Sequence, residues 1–231
     1  MFLSSLKNPE ILKESLCNNL HEIQIQSCIL DEMRFTSNIW NEVSINNSNA
    51  NQTLFENLNI ASSSFSRSNL FKSTFANCSL SNTTFSCNTF ISSNWYNCNL
   101  SNISISQSTM QNIKIGKCVW KNSNLVDFEG INALIKNSFF INCRFEISSG
   151  MTVNGFSGGK IENSIFINCS FKGFPLRGVN TDSCIFINCQ GEISDDISCY
   201  NTFGLGNYSG ILKDTKLYNR EKALKLIEEL Q

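Results

Sequence analysis

The residues best suited to chemistry in this 231-residue chain are its eleven cysteines and its single histidine, His21. Thiolate and imidazole groups are ligands that zinc prefers, and both act as nucleophile or base in catalysis. Zinc sites use closely spaced ligands, but the chain contains no Cys-x-x-Cys pair. We therefore expect no metal, no cofactor and no cysteine- or histidine-based catalytic site.

Carboxylates and bases are also poorly placed for catalysis. Glycan-cleaving β-helices need clustered carboxylates or a Lys or Arg base in a groove. No Asp or Glu occurs between Leu58 and Val126, and Asp195 and Asp196 are adjacent, so their side chains point in different directions. The sequence predicts that the protein is not an enzyme.

The elements that position the cysteines follow a five-residue period. Every fifth residue from Leu20 to Phe145 is large and apolar, except Ala50 and Gly130. This period matches neither a helix nor a flat strand, so the chain must turn at each repeat and point each fifth side chain inward. Four repeats then make a square coil, and stacked coils pair as parallel β-strands. Most cysteines lie two residues before the large one, which predicts small, buried, reduced side chains: Cys28, Cys78, Cys98, Cys118, Cys143, Cys169, Cys184 and Cys189.

A third column, two residues after the large one, is rich in Asn, including Asn77, Asn82 and Asn97. Asn tolerates turn dihedrals, so we expect it at the corners. The pattern resembles the pentapeptide-repeat family over roughly residues 18–191, with matches such as Ser-Asn-Leu-Phe-Lys and Cys-Ser-Leu-Ser-Asn. The resemblance implies an all-β, right-handed parallel quadrilateral β-helix.

The five-residue register breaks twice. We interpret residues 146–160, with four glycines, and 172–182, with Pro175, as insertions between coils. Loops on a regular scaffold often carry function, although tolerated insertions are an equal alternative. The candidate partner-binding residues in these loops are Met151, Asn154, Phe156, Lys160, Phe174, Pro175, Leu176 and Arg177.

Both ends are expected to be caps. Residues 1–17 form the N-terminal cap, residues 18–217 the β-helix, and residues 218–231 a capping helix that follows Asn219. Its apolar face would carry Leu224, Ile227 and Leu230. In related pentapeptide-repeat proteins such a helix often pairs two solenoids, so a homodimer is an alternative to simple capping.

The net charge and the hydropathy of the sequence limit the classes of partner that we expect. The net charge is −1 and no apolar run could span a membrane, so we expect neither direct nucleic-acid binding nor a membrane partner. Eleven reduced thiols favour a bacterial cytoplasmic location, although secretion into a host cell as an effector is an alternative.

The expected function is a protein-binding scaffold that acts through its faces and loops. The resemblance also implies a second hypothesis, protection of DNA gyrase or topoisomerase IV from toxins or quinolones. Such relatives carry acidic faces that mimic DNA, whereas the middle coils here lack acids and carry Lys114, Lys117 and Lys121. The third hypothesis is a secreted effector or its substrate-binding module.

Overall fold

The structure is a computed structural model, and it describes residues 1–7, 19–36, 38–153, 155–173 and 175–191, together with the backbone of strands at 198–200, 203–205 and 216–217. Thirty short strands and no helix occur in this part of the chain. Apart from strands of two residues, each strand has three residues. Up to residue 191, the middle residue of each three-residue strand is buried in the solenoid, because alternate side chains of a strand point to opposite sides.

The strands form three parallel sheets, which we call faces 1, 3 and 4. Face 1 has ten strands, β1 (Phe2–Ser4), β3 (Gln24–Gln26), β6 (Ser44–Asn46), β9 (Ser64–Ser66), β12 (Thr84–Ser86), β15 (Ser104–Ser106), β18 (Asn124–Val126), β21 (Arg144–Glu146), β24 (Ser170–Lys172) and β27 (Gln190–Gly191). Face 3 has nine, β4 (Arg34–Thr36), β7 (Leu54–Glu56), β10 (Thr74–Ala76), β13 (Asn94–Tyr96), β16 (Lys114–Gly116), β19 (Leu134–Lys136), β22 (Lys160–Glu162), β25 (Asn180–Asp182) and β28 (Ser198–Tyr200). Face 4 has eleven, β2 (Leu20–His21), β5 (Ile39–Asn41), β8 (Asn59–Ala61), β11 (Ser79–Ser81), β14 (Asn99–Ser101), β17 (Val119–Lys121), β20 (Phe139–Ile141), β23 (Ile165–Ile167), β26 (Ile185–Ile187), β29 (Phe203–Leu205) and β30 (Lys216–Leu217).

Face 2 lies between faces 1 and 3 and is held by isolated parallel bridges that run from Lys7–Ile29 to Glu129–Gly155. The chain therefore passes through faces 1, 2, 3 and 4 in each coil. Paired residues such as Asn77 and Asn97 are 20 positions apart, so four five-residue sides complete one coil. The predicted parallel, four-sided solenoid is confirmed.

The corners explain the Asn column. Residues at these positions have positive φ, for example 55° at Asn77 and 48° at Asn82. Asn is among the residues that adopt this conformation at least cost. The side chains also bond from coil to coil: Nδ2 of Asn97 donates to Oδ1 of Asn77 at 2.8 Å. The predicted corner role of Asn is confirmed.

Large side chains fill the axis as continuous stacks. The rings of Phe55 and Phe75 are 4.5 Å apart with an interplanar angle of 7°, and Phe65 stacks on Phe85 at 4.8 Å. These separations are close to the ~4.8 Å spacing of parallel strands, so identical positions in successive coils stack directly. Gly130, an exception in the apolar column, leaves space for a neighbour: a Cβ there would lie 2.5 Å from the Phe156 ring.

The inward cysteines are buried, as predicted. Sγ of Cys98 lies 3.4 Å from the carbonyl oxygens of Phe75 and Tyr96, to which it can donate. A hydrogen bond with the thiol of Cys118, together with burial, raises the pKa of Cys98 to about 12. The cysteine next to it in the stack, Cys78, also has a raised pKa, because of Cys98 and burial. The thiols of Cys78 and Cys98 are therefore neutral at ordinary pH and buried.

The first register break is a true insertion. Asn142 and Asn168 pair across 26 residues instead of 20. Because Glu146 still pairs with Val126 at the regular spacing and Gly155 bridges Glu129, the six extra residues lie between Glu146 and Gly155, at the corner between faces 1 and 2. This insertion is narrower than the predicted 146–160.

The second break is not an insertion, which corrects the sequence interpretation of residues 172–182. Lys160 pairs with Asn180 and Ile165 with Ile185, so this coil keeps the regular length. Leu176 and Thr181 are buried at the positions where the five-residue column continues. Pro175 and the glycines near it make the five-residue pattern hard to recognise in the sequence, but they add no residues to the coil.

The two predicted caps fall largely outside the described residues. The structure does not describe residues 8–17 or residues 218–231, and the second range includes Leu224, Ile227 and Leu230. The stack itself already includes Phe2–Ser4, which pairs in parallel with Gln24–Gln26. In the described part of the chain, no helix is long and apolar enough to cross a membrane.

Candidate functional site

The predicted loop residues divide into core and surface positions. Phe156, Pro175 and Leu176 are buried, and the Phe156 ring packs 4.7 Å from Phe128. Because these side chains are not accessible to a partner, the three residues are no longer candidates for binding. Asn154 and Phe174 lie outside the described residues.

Three predicted loop residues remain at the surface. Met151 is 42% exposed at the tip of the insertion. Lys160 and Arg177 are also exposed, but they lie on other parts of the coil, since Lys160 belongs to β22 on face 3. The structure therefore does not gather the predicted residues into one site.

Face 3 carries a groove on a regular part of the stack. At the outward position after the buried residue, successive coils carry Ala76, Tyr96, Gly116 and Lys136. Because Gly116 has no side chain, a gap of about 300 Å³ opens between Tyr96 and Lys136, with Leu134 on its wall. We call this surface the face 3 groove and define it by Tyr96, Lys114, Gly116, Lys117, Leu134 and Lys136.

An exposed aromatic ring borders the groove. Tyr96 is 46% exposed, and a Cβ at Gly116 would lie 3.4 Å from its Cδ2, so the ring stands close over the glycine. Nζ of Lys117 lies 5.4 Å from the centre of the ring. Contact with Tyr96 raises the pKa of Lys117, which keeps the ammonium charged. The ring thus contacts a cation while nearly half of the residue stays exposed.

The electrostatics of the groove are positive. Among the described residues, neither Lys114 nor Lys117 pairs with a carboxylate, whereas Lys136 is 2.6 Å from Glu162. Lys136 and Lys160 flank Glu162 and lower its pKa, so that carboxylate stays ionised. Lys121, the third lysine named for the middle coils, lies on face 4 and does not line the groove. Two unpaired cations beside an aromatic ring favour a ligand that carries negative charge.

The insertion is anchored by a different set of contacts. Oδ1 of Asp127 accepts from the backbone N–H of Ser148 at 2.7 Å, and Oγ of Ser148 donates to Oδ2 at 3.0 Å. Glu146, which is nearly buried, pairs with Arg144 and with Lys172. These bonds fix the base of the loop while Met151 projects. The loop lies at the corner between faces 1 and 2, so face 2 separates it from the face 3 groove.

A second surface, on face 4, was missed by the sequence analysis. Outward-facing residues of three successive strands, β20, β23 and β26, form an apolar cluster separate from the core: Phe139, Ile141, Ile165, Ile167, Ile185 and Ile187. We call it the outer apolar patch. The signal was present in the sequence, because apolar residues on both sides of a buried Phe, as in Phe-Phe-Ile and Ile-Phe-Ile, exceed what an inward column needs.

Within the described ranges, no group of three or more His, Cys, Asp or Glu residues could hold a metal ion. Cys87 is exposed at a corner, and its Sγ lies 3.4 Å from Oε1 of Gln107. His21 is exposed, and its Nε2 lies 3.2 Å from Oε1 of Glu22. Cys87 and His21 lie far apart in the sequence, and neither lines the face 3 groove.

The five-residue repeat, the four-sided coil and the parallel pairing at 20-residue spacing make the chain a pentapeptide-repeat β-solenoid. No family model matches the chain, and no curated protein matches it. Among solved structures, trypsin-treated QnrB1, a plasmid-mediated fluoroquinolone resistance protein, is 13% identical, with 100% of this chain and 97% of that chain covered and a TM-score of 0.45. HetL, a pentapeptide repeat protein involved in heterocyst differentiation regulation in the cyanobacterium Nostoc, is 11% identical, with 94% and 90% covered and a TM-score of 0.35.

An alginate lyase from Paenibacillus is 10% identical, with 94% of this chain and 97% of that chain covered and a TM-score of 0.40. At these TM-scores the likenesses carry no functional argument.

Proposed function

We propose that this chain is a non-enzymatic scaffold that binds another protein through the face 3 groove. The observation that carries the proposal is the exposed Tyr96 ring above Gly116, flanked by unpaired Lys114 and Lys117. Tyrosine gives a large contact area at low entropic cost and is enriched in binding hot spots. The fitting ligand is a protein segment that places an apolar side chain in the gap and a carboxylate beside the lysines.

The rigidity of the surroundings supports this proposal. Tyr96 follows Trp95, which is buried with its ring centre 4.7 Å from that of Phe75, so the backbone of the groove is fixed before a partner arrives. A preformed surface loses little conformational entropy on binding. The insertion around Met151 is a second exposed element, and because it lies at another corner its contribution can be measured separately.

The experiment uses a matched pair of lysines. Lys117 and Lys72 both occupy corners, with φ of 54° and 56°, and both stand over an aromatic ring. The immobilised full chain, Lys117→Glu and Lys72→Glu are each exposed to lysate of the source cell, and the captured proteins are identified by mass spectrometry. We expect one or more proteins to be lost with Lys117→Glu and kept with Lys72→Glu. If both variants capture the same proteins as the unaltered chain, the groove is not the binding surface.

Gly116→Gln gives an independent test, because it fills the gap without changing charge, and φ at Gly116 is not positive. The variant should lose the same partner that Lys117→Glu loses. Met151→Asp should keep that partner if the groove alone carries binding. Binding that survives Gly116→Gln but fails with Met151→Asp would assign the partner to the insertion.

Gyrase or topoisomerase IV remains a named candidate partner from the family resemblance. The positive charge of the face 3 groove is opposite to that of a DNA mimic, so we expect no competition with DNA through this surface. Purified gyrase with and without a quinolone, at micromolar concentrations of the chain, decides the matter. Restored supercoiling in the presence of drug, abolished by Met151→Asp but not by Lys117→Glu, would favour gyrase protection through the insertion.

A further inference from the structure

The outer apolar patch on face 4 is more deeply buried than an open sheet surface. Ile165, Ile167 and Ile187 are 8%, 7% and 5% exposed, although their side chains point away from the core. On earlier coils of this face, outward residues such as Ser79 and Asn99 are exposed, and the apolar Ile39 is 48% exposed. Neighbouring strands alone do not bury outward side chains to this extent, so we infer that another segment packs on the patch.

We propose that residues 218–231 of the same chain form an amphipathic helix that packs across the outer apolar patch. This interaction is independent of the proposed partner site, which lies on face 3.

The position where the described chain ends supports this occupant. The last described strand, β30, pairs with β29, and β29 pairs with β26, all on face 4. The described chain therefore ends at Leu217 on the face that carries the patch, two strands beyond Ile185–Ile187. No long connection is needed to bring the segment back over it.

The length of the segment matches the patch. Fourteen helical residues span about 20 Å at roughly 1.5 Å per residue. Strands in successive coils are about 4.8 Å apart, so such a helix crosses about four strands. That distance reaches from β29 back to β20, which is the extent of the patch.

The residue pattern and charge also match. Leu224, Ile227 and Leu230 recur at helical spacing, with Ala223 and Leu226 beside them and charged residues elsewhere. At the outward positions of β5 through β26 on face 4, the single charged residue is Lys121. Lys121 adjoins the patch at the side where the end of the helix, with Glu228 and Glu229, would lie. A cation is favoured there by the carboxylates and by the negative end of the helix dipole.

The first test is zero-length carbodiimide coupling on the full chain, with an equal mixture of unlabelled and 15N-labelled protein. We expect an amide bond between Lys121 and Glu228 or Glu229 within one chain, and no such bond from the exposed control Lys72. If the coupled peptides carry mixed labels, a second copy covers the patch and the proposal fails. Absence of any coupling from Lys121 to these glutamates also overturns it.

The second test measures exposure of the patch with a fluorescent apolar dye. Loss of one buried aliphatic contact shifts such a docking equilibrium by about tenfold or more, so Ile227→Asp and Ile167→Asp should each raise dye binding. The double variant should add little, because the helix has already left. Ser101→Asp, on face 4 but outside the patch, should have no effect. Unchanged dye binding with Ile227→Asp, at unchanged circular dichroism, would overturn the proposal.

Discussion

Truncation of Phe85 tests the aromatic core most directly. The side chain is fully buried, its ring stacks on Phe65 at 4.8 Å, and it meets Phe75, Phe90 and Trp95 edge-on at 6.2, 5.6 and 5.4 Å. Phe85→Ala therefore removes a full ring from the axis of the solenoid. The coils above and below cannot collapse into the gap, because their spacing is set by backbone hydrogen bonds.

The expected cost follows from this packing. Burial and cavity terms for Phe→Ala are about 3–5 kcal/mol, and each aromatic pair contributes roughly 0.5–1.5 kcal/mol beyond its area. Because Phe85→Ala abolishes the packing of this ring against all four neighbouring rings, we expect a decrease in the free energy of unfolding of about 5 kcal/mol. At a urea dependence of roughly 2–3 kcal/mol per molar, the midpoint of unfolding should fall by about 2 M.

The assay is urea denaturation followed by circular dichroism, with Phe71→Ala as the control. Phe71 is the same residue type, but it points outward, is only partly buried and carries Lys72 over its ring at 5.0 Å. We expect Phe71→Ala to cost about 1 kcal/mol or less. Equal losses for the two variants would refute the argument that the inward column holds the solenoid together.

Three further perturbations have defined outcomes. The pKa values of Cys78 and Cys98 are raised in the folded protein, so their neutral thiols add stability below about pH 9, and this stability is lost as the pH rises towards 12. The urea midpoint of unfolding under reducing conditions should therefore fall over this pH range. It should fall less in Cys98→Ala. Gly155→Ala should lower the melting temperature strongly, since φ is +57° and a Cβ would lie 2.4 Å from a backbone oxygen. Asp127→Ala removes both bonds to Ser148 and should make the insertion an early site of limited proteolysis. The loss of overall stability should be about 1 kcal/mol, because φ at this position is 52° and Ala adopts that conformation less readily than Asp.

These predictions have internal controls. Gly150→Ala also replaces a glycine of positive φ, +84°, but no atom lies within 4 Å of its Cβ, so its cost should be clearly smaller. An equal alkaline decline in the unaltered chain and in Cys98→Ala would show that other groups, such as lysine and tyrosine, cause it. Proteolysis of Asp127→Ala elsewhere than in the insertion would contradict the anchoring role of Asp127.

Much of the fold followed from the sequence because one period governs it. The large residue at every fifth position, the small Cys or Ser two residues before it and the Asn two residues after it were assigned to core, inner wall and corner, and the structure places Phe75, Cys78 and Asn77 accordingly. Each role depends on the size or backbone preference of one residue type. Such preferences are local, so they are visible without coordinates.

The binding surfaces could not be predicted in this way. Gly116 became part of a groove only because Tyr96 and Lys136 lie on either side of it in neighbouring coils, each 20 residues away. The loop hypothesis also depended on register: Leu176 looked like part of an insertion, but the coil keeps its regular length and buries that side chain.

The sequence by itself therefore determined the coil: the five-residue period predicted a four-sided solenoid and assigned most of the cysteines to its inner wall. Only the tertiary structure decided which side chains share a surface. The physical reason is that a side chain's neighbours on a face come from adjacent coils, and their alignment depends on the number of residues in every coil. Six extra residues after Glu146 shift the register of all coils that follow, and the alignments that define the face 3 groove and the outer apolar patch exist only once the strands are paired.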